Sequence, residues 1–128
     1  MLSSGAQMLW PDHCVAGSAG ARFHPQLTIP PHAGIIRKGM HRHRDGTSGF
    51  FEADGTTSVG LDQLLRAAGV RALVLAGLAT DVCVAHTAID ACRLGYTVTV
   101  VEAGCRGIDT AGSLAAWERM TAAGVRRG

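Results

Sequence analysis

The chain has 128 residues, the size of one domain. Apolar residues make up 47% and charged residues 17%, the composition of a folded globular chain, which excludes disorder throughout. A formal net charge of +2 and an aromatic content of 5% exclude the broad basic, aromatic-rich surface of a nucleic-acid binder. No run approaches the roughly 18 to 20 consecutive apolar residues of a membrane helix, so no membrane partner is expected. Met1-Leu2-Ser3-Ser4-Gly5 has no basic stretch leading into an apolar run, so no secretory signal is expected. The four cysteines, Cys14, Cys83, Cys92 and Cys105, show no C-x-x-C spacing, and free thiols in a reducing cytoplasm are the expectation.

Residues 1–34 hold all four prolines, Pro11, Pro25, Pro30 and Pro31, and no sustained period of 2 or 3.6. They read as loop, and a loop that long is either functional or shaped to wrap around something. Gly34-Ile35-Ile36-Arg37 is predicted as a brief strand. Leu61, Leu64, Leu65 and Ala68 fall on one helical face, with Thr57 or Ser58 as cap and Gly69 as stop. Ala72-Leu73-Val74-Leu75-Ala76 is a continuous apolar run, the pattern of a strand buried on both faces. Val82, Ala85, Ile89 and Cys92 give a second helical face, closed by Gly95. The β-branched run Tyr96–Val101 predicts another strand. Asp109 or Thr110 caps a third helix carrying Leu114, Trp117 and Thr121, which stops at Gly124. Strands alternating with helices predict βαβ units, an α/β class and a parallel sheet. Ligands bind such sheets beyond the carboxyl ends of the strands, where Gly77–Cys83 and Ala103–Gly107 lie.

Cys83 is the leading chemical candidate. It falls in the first turn of a helix that follows a buried strand, where free N–H groups and the helix dipole favour a thiolate and can hold an oxyanion. The other reading is a packed cysteine on an alanine-rich helix. Lys38, before Gly39, is either a solvated strand-end residue or an ammonium placed beside a thiolate. His13, in Trp10-Pro11-Asp12-His13-Cys14, is either a satisfied polar side chain or one metal ligand whose companions come from elsewhere. His41-Arg42-His43-Arg44, with Arg37 and Lys38, reads as a solvated basic loop, since two histidines alone make no metal site. Gly17-Ser18-Ala19-Gly20 lacks the Gly-Lys-Ser/Thr of a phosphate loop. Ser48 is not in a G-x-S-x-G elbow.

Three segments together resemble one family. Trp10-Pro11-Asp12-His13-Cys14-Val15, followed by Gly20-Ala21 and Phe23-His24-Pro25, resembles a loop of nicotinamidases (pyrazinamidases) of the isochorismatase-like cysteine hydrolase superfamily. Arg37-Lys38-Gly39 and Thr47-Ser48-Gly49-Phe50 resemble the family's lysine strand end and substrate loop. Gly77-Leu78-Ala79-Thr80-Asp81-Val82-Cys83-Val84 resembles its nucleophile turn. The resemblance implies a three-layer α/β/α, Rossmann-like parallel-sheet fold, with residues 1–128 as the C-terminal part of a single domain. It implies that Cys83 attacks the carboxamide carbon of nicotinamide while the backbone amides of Ala79 and Cys83 hold the oxyanion. A cis peptide is implied at Leu78-Ala79. Ammonia leaves, and water releases nicotinate from the thioester, a step of NAD salvage. Lys38 would stabilise the thiolate. His13 would be one ligand of a divalent metal (zinc, iron or manganese) that grips the pyridine nitrogen. Trp10 would stack on the ring, and Thr47 and Val82 would line the pocket. A small-molecule substrate and a homo-oligomer are the implied partners.

The sequence departs from the pattern in one respect. The family opens with a strand ending in Asp-x-Gln-x-Asp-Phe, whose first Asp is the general base, and a later strand carries Asp-x-His with a further His beyond. These motifs are absent from the 128 residues. The expectation is therefore a fold missing its N-terminal strands and a chain inactive alone. Gly124–Gly128 is expected to lie inside the family's last strand. Two alternatives remain: another hydrolase of the superfamily, acting on isochorismate, N-carbamoyl compounds or ureides, or a non-catalytic remnant that self-associates through its sheet edges.

Overall fold

Regular structure follows the apolar periodicity of the second half of the chain. In the computed structural model, which describes residues 10–41 and 45–128, the elements are α1 (Leu61–Ala67), β1 (Ala72–Leu78), α2 (Ala85–Arg93), β2 (Thr97–Arg106), α3 (Thr110–Ala122) and β3 (Arg126–Arg127). Before them lies the predicted long loop, in which one 3₁₀ turn forms at Ala19–Ala21. Gly34–Arg37 differs from expectation: it has no ladder partner among the described residues, and a strand exists only through its ladder.

The sheet is parallel, in the order β1-β2-β3. Each connection runs through a helix, as parallel neighbours require. Ala72 pairs with Thr97 and Leu75 with Val100, but Gly77 pairs with Cys105. Two residues of advance on β1 are thus matched by five on β2, a bulge that re-aims the strand ends. The bulge also carries β2 on through Ala103–Arg106, which the sequence predicts as loop. β3 is held beside β2 by Arg127, whose guanidinium pairs with Glu102 and stacks 4.6 Å from the centroid of Trp117.

One face of the sheet carries the core. Val98, Val100, Ala85, Ala88, Ala91, Ala116, Met120 and Phe50 are all at or below 1% exposed. The alanines at i, i+3 and i+6 of α2 are small enough to let its backbone approach the sheet closely. Leu73 and Leu75 pack on this cluster, whereas Val74 and Leu78, on the other face of β1, are each 73% exposed. The run 72–76 is therefore covered on one face, not on both as its continuous apolar pattern predicts. The helical faces shift in the same way: Ala116, Trp117 and Met120 are buried on α3, while Leu114 is 59% exposed.

Caps show what local sequence settles. Asp109 caps α3 as predicted, its carboxylate accepting from the Gly112 N–H at 2.7 Å. Neither Thr57 nor Ser58 caps α1. The Thr57 carbonyl accepts from Glu52 N–H (2.9 Å) in a hairpin-like pairing, so the helix starts three residues later, behind Gly60. That pairing also buries Phe50, whose ring lies 5.9 Å from that of Tyr96. Tyr96 in turn donates to Asp62 of α1 at 2.7 Å. Among the described residues no helix is long and apolar enough to cross a membrane.

Truncating Met120, 0% exposed, to alanine should lower unfolding free energy by about 2–5 kcal/mol. Val74→Thr on the exposed face should change it by no more than about 0.5 kcal/mol. Urea unfolding followed by circular dichroism measures both, and equal losses would mean that both faces of β1 are packed.

Candidate active site

The end of β1 turns abruptly into α2, and the turn is built from backbone. Gly77 has φ of 130°, a conformation that side-chain-bearing residues rarely adopt, and Leu78-Ala79 is a cis peptide, as the resemblance implies. Residues Thr80–Val84 then wind as one π-type turn. Its closing bond runs from Val84 N–H to the Ala79 carbonyl (3.0 Å), which also accepts from Val82 N–H (3.2 Å). Such wide turns recur at functional positions. Cys83 sits within this turn, half-buried.

Two side chains pin the turn, one of its own and one from α3. The Asp81 carboxylate accepts from Ile108 N–H at 3.0 Å and from Asp109 N–H at 3.4 Å, tying it to the start of α3. Arg119 donates to the Asp81 carbonyl at 3.2 Å. The turn bearing Cys83 is therefore held by α3 as well as by the strand that leads into it.

Lys38 comes from the loop third of the chain and ends 3.4 Å from Cys83 Sγ. Its Nζ also donates to the Gly46 carbonyl. The segment around Gly46 lies against α2: Gly49 N–H donates to Thr87 Oγ1 at 2.9 Å, and Thr47 Oγ1 meets His86 Nδ1 at 2.8 Å. Lys38, Gly49, Leu78, Cys83, Val84 and Thr87 line a cleft of about 200 Å³. Burial, followed by the nearby Arg119 cation, holds His86 below the ordinary histidine range.

The structure thus brings Cys83, Lys38 and the amide-bearing turn at Ala79 into one place. It does not bring the other sequence candidates into the cleft. Trp10 is 44% exposed, Val82 is half-buried, and Thr47 spends its hydroxyl on His86. His13 is exposed, with Nδ1 at 2.8 Å from the Pro11 carbonyl. That bond leaves Nε2 for a ligand, the arrangement of many metal-binding histidines. Yet among the described residues no three His, Cys, Asp or Glu side chains come together to hold an ion. These residues therefore do not by themselves fit a divalent metal. Ser48 is buried and accepts from Phe50 N–H at 3.1 Å, a turn-forming role. Arg42, His43 and Arg44 of the basic run lie outside the described residues. Sequence reasoning missed Asp81, His86, Thr87 and Arg119. The signal for Thr87 was its spacing, four residues past Cys83 and so one helical turn along.

With this geometry in view, comparison with known proteins gives the class. The isochorismatase domain model matches residues 4–126, and the chain belongs to that family. A nicotinamidase of Acinetobacter baylyi is 48% identical over 127 residues, covering 98% of this chain and 59% of that protein. The Escherichia coli nicotinamidase is 42% identical over 121 residues, covering 93% and 57%. Among solved structures, a nicotinamidase/pyrazinamidase of Acinetobacter baumanii superposes with a TM-score of 0.92 at 49% identity, over 98% of this chain and 61% of that one. The L. infantum protein PnC1 in complex with nicotinate gives 0.89 at 38% identity, over 94% and 60%. The pyrazinamidase of Pyrococcus horikoshii in complex with zinc gives 0.84 at 32%, over 94% and 63%. The fold is the α/β/α parallel-sheet fold of this family, and the chain spans somewhat under two thirds of the length of these relatives.

A histidine held below its ordinary range favours the neutral form in the folded state. Its contribution is intact above about pH 6.5 and is lost as pH falls below that. Stability measured in urea from pH 7.5 to pH 5 should therefore fall more steeply for the parent chain than for His86→Gln. Identical slopes would take His86 out of the acid response. Lys38→Met should slow alkylation of Cys83 by iodoacetamide at pH 7 by about 3- to 30-fold, since it removes the cation beside the sulfur. Peptide-resolved mass spectrometry reads the rate, with exposed Cys14 as internal reference.

Proposed function

We propose that the chain carries the nucleophile, cation and oxyanion elements of a nicotinamidase-type amidohydrolase, converting nicotinamide and water to nicotinate and ammonia. The observation that carries this reading is the 3.4 Å contact of Lys38 Nζ with Cys83 Sγ at the end of β1, in a chain 48% identical to a protein named as nicotinamidase.

The sulfur of Cys83 adds to the carboxamide carbon. The negative charge then moves to the carbonyl oxygen, where the N–H groups of Ala79 and Cys83 receive it. The Lys38 ammonium faces the sulfur at 3.4 Å. The nitrogen takes up a proton and leaves as ammonia when the oxyanion collapses and the C–N bond breaks, and water hydrolyses the thioester that remains to the free acid and the Cys83 thiol. Trp10, Thr47 and Val82 are the proposed ring-contacting positions. Ammonia departure needs a proton donor, and among the described residues no ion pair joins Lys38 to a carboxylate that could serve. The resemblance assigns the first Asp of the family's opening strand as general base, and a proton that it took from the thiol is the one the nitrogen would receive.

A chimera tests the reading: the part of the Acinetobacter baylyi protein that this chain does not match, joined to this chain. It should release nicotinate and ammonia from nicotinamide, and Cys83→Ala should lower turnover by at least about 10³-fold. A folded chimera that leaves nicotinamide intact would overturn the proposal. Ureide hydrolysis is the second reading, because ureidoacrylate amidohydrolases of Caulobacter vibrioides are 43% identical over 74 residues. A ureidoacrylate arm in the same assay separates the two.

A further inference from the structure

We propose that Thr87 is a positioning residue for the Lys38–Cys83 pair, acting through the 45–50 segment with His86 beside it. This rests on the amide-hydrolase reading for what the pair does, and on geometry alone for how the pair is held.

The chain of contacts is short and continuous. Thr87 Oγ1 accepts from Gly49 N–H at 2.9 Å, and His86 Nδ1 meets Thr47 Oγ1 at 2.8 Å, so adjacent residues of α2 grip two points of one segment. Gly46, one residue earlier, offers its carbonyl to Lys38 Nζ, and the same nitrogen stands 3.4 Å from Cys83 Sγ. The turn bearing Cys83 leads directly into α2, which carries Thr87. One rigid helix therefore fixes both members of the pair, the sulfur through the chain and the ammonium through the latched segment.

Two glycines make the latch possible. A Cβ at Gly46 would lie 2.3 Å from the backbone nitrogen of Gly39, so the chain closes there backbone to backbone beside Lys38. A Cβ at Gly49 would lie 3.3 Å from Thr87 Cγ2, so a side chain at 49 pushes on the latch itself. The lysine's stem is long and flexible, and among the described residues the partners of its nitrogen, Gly46 and Cys83, both lie on other segments.

The test is a double-mutant cycle on the intact chain, read as the rate of Cys83 alkylation by iodoacetamide at pH 7. Thr87→Val keeps the shape and removes the acceptor. It should slow Cys83 by about 3- to 10-fold, and Thr87→Ser should return the rate to within about twofold. In a Lys38→Met background, Thr87→Val should have no further effect. Gly49→Ala, which presses on Thr87 from the other side of the contact while leaving that residue's identity unchanged, should reproduce the loss and its dependence on Lys38. Undiminished reactivity in folded Thr87→Val, or equal slowing with and without Lys38, would overturn the proposal. A structural role alone moves the urea midpoint and not the Lys38-dependent rate. The two readings fail separately: an inactive chimera with the coupling intact overturns the reaction, and an active chimera with no coupling overturns the latch.

Discussion

The turn from Leu78 to Val84 is the constraint on which the rest of the molecule depends. It must turn a strand covered on one face into a helix within a few residues and still present a sulfur and backbone amides to one side. Backbone groups there have few partners of their own, so each has to be given one. The Ala79 carbonyl takes two N–H groups from within the turn, and the Asp81 carboxylate takes two more from the start of α3. Hydrogen bonds of this kind contribute only about 0.5–1.5 kcal/mol each, so their value lies in fixing one geometry. The bulge between β1 and β2 belongs to the same solution, because it offsets the two strand ends and brings Arg106 beside Leu78.

Around this turn, the packing is arranged to let helices approach. The alanine stripe of α2, Ala85, Ala88 and Ala91, lets that helix approach closely, and Ala116, Trp117 and Met120 of α3 complete the core with Phe50. Phe50 does two jobs at once. It anchors a loop in the core next to Tyr96, and in doing so it sets the position of the segment that reaches Lys38. A loop contribution to a core is unusual in kind but ordinary in physics: a large aromatic ring that is almost fully buried immobilises the backbone on either side of it. The geometry around Cys83 and the packing of the core are thus drawn from the same contacts, and Val74, on the exposed face of β1, takes no part in either.

Much of the second half was legible in the sequence, because local chemistry and tertiary packing agree there. Period 3.6 marked the helices, β-branched residues marked β2, Asp109 marked a cap, and Gly95 and Gly124 marked helix ends. Misreadings came where a distant partner overrode a local signal. Ser58 and Thr57 are good caps by type, yet pairing with residues 51 and 52 claimed their backbone. Leu114 is a good core residue by type, yet the rotation of α3 turned Ala116 and Met120 inward instead. Ile35 and Ile36 are good strand formers, yet no neighbour pairs with them among the described residues.

The sequence by itself determined the class of fold, the order of its elements and the identity of Cys83 and Lys38 as a pair worth weighing, through motifs whose residues are contiguous. Local spacing carries that information because a turn or a helix face is written within a few residues. Only the tertiary structure decided that the two side chains meet, since they lie 45 residues apart and on different segments. It also decided that Thr87 and His86 grip the loop, that Asp81 answers to α3, and that His13, Trp10, Val82 and Thr47 stand outside the small cleft at the sulfur. Those are properties of how separate segments approach in space, and no periodicity along one segment encodes them.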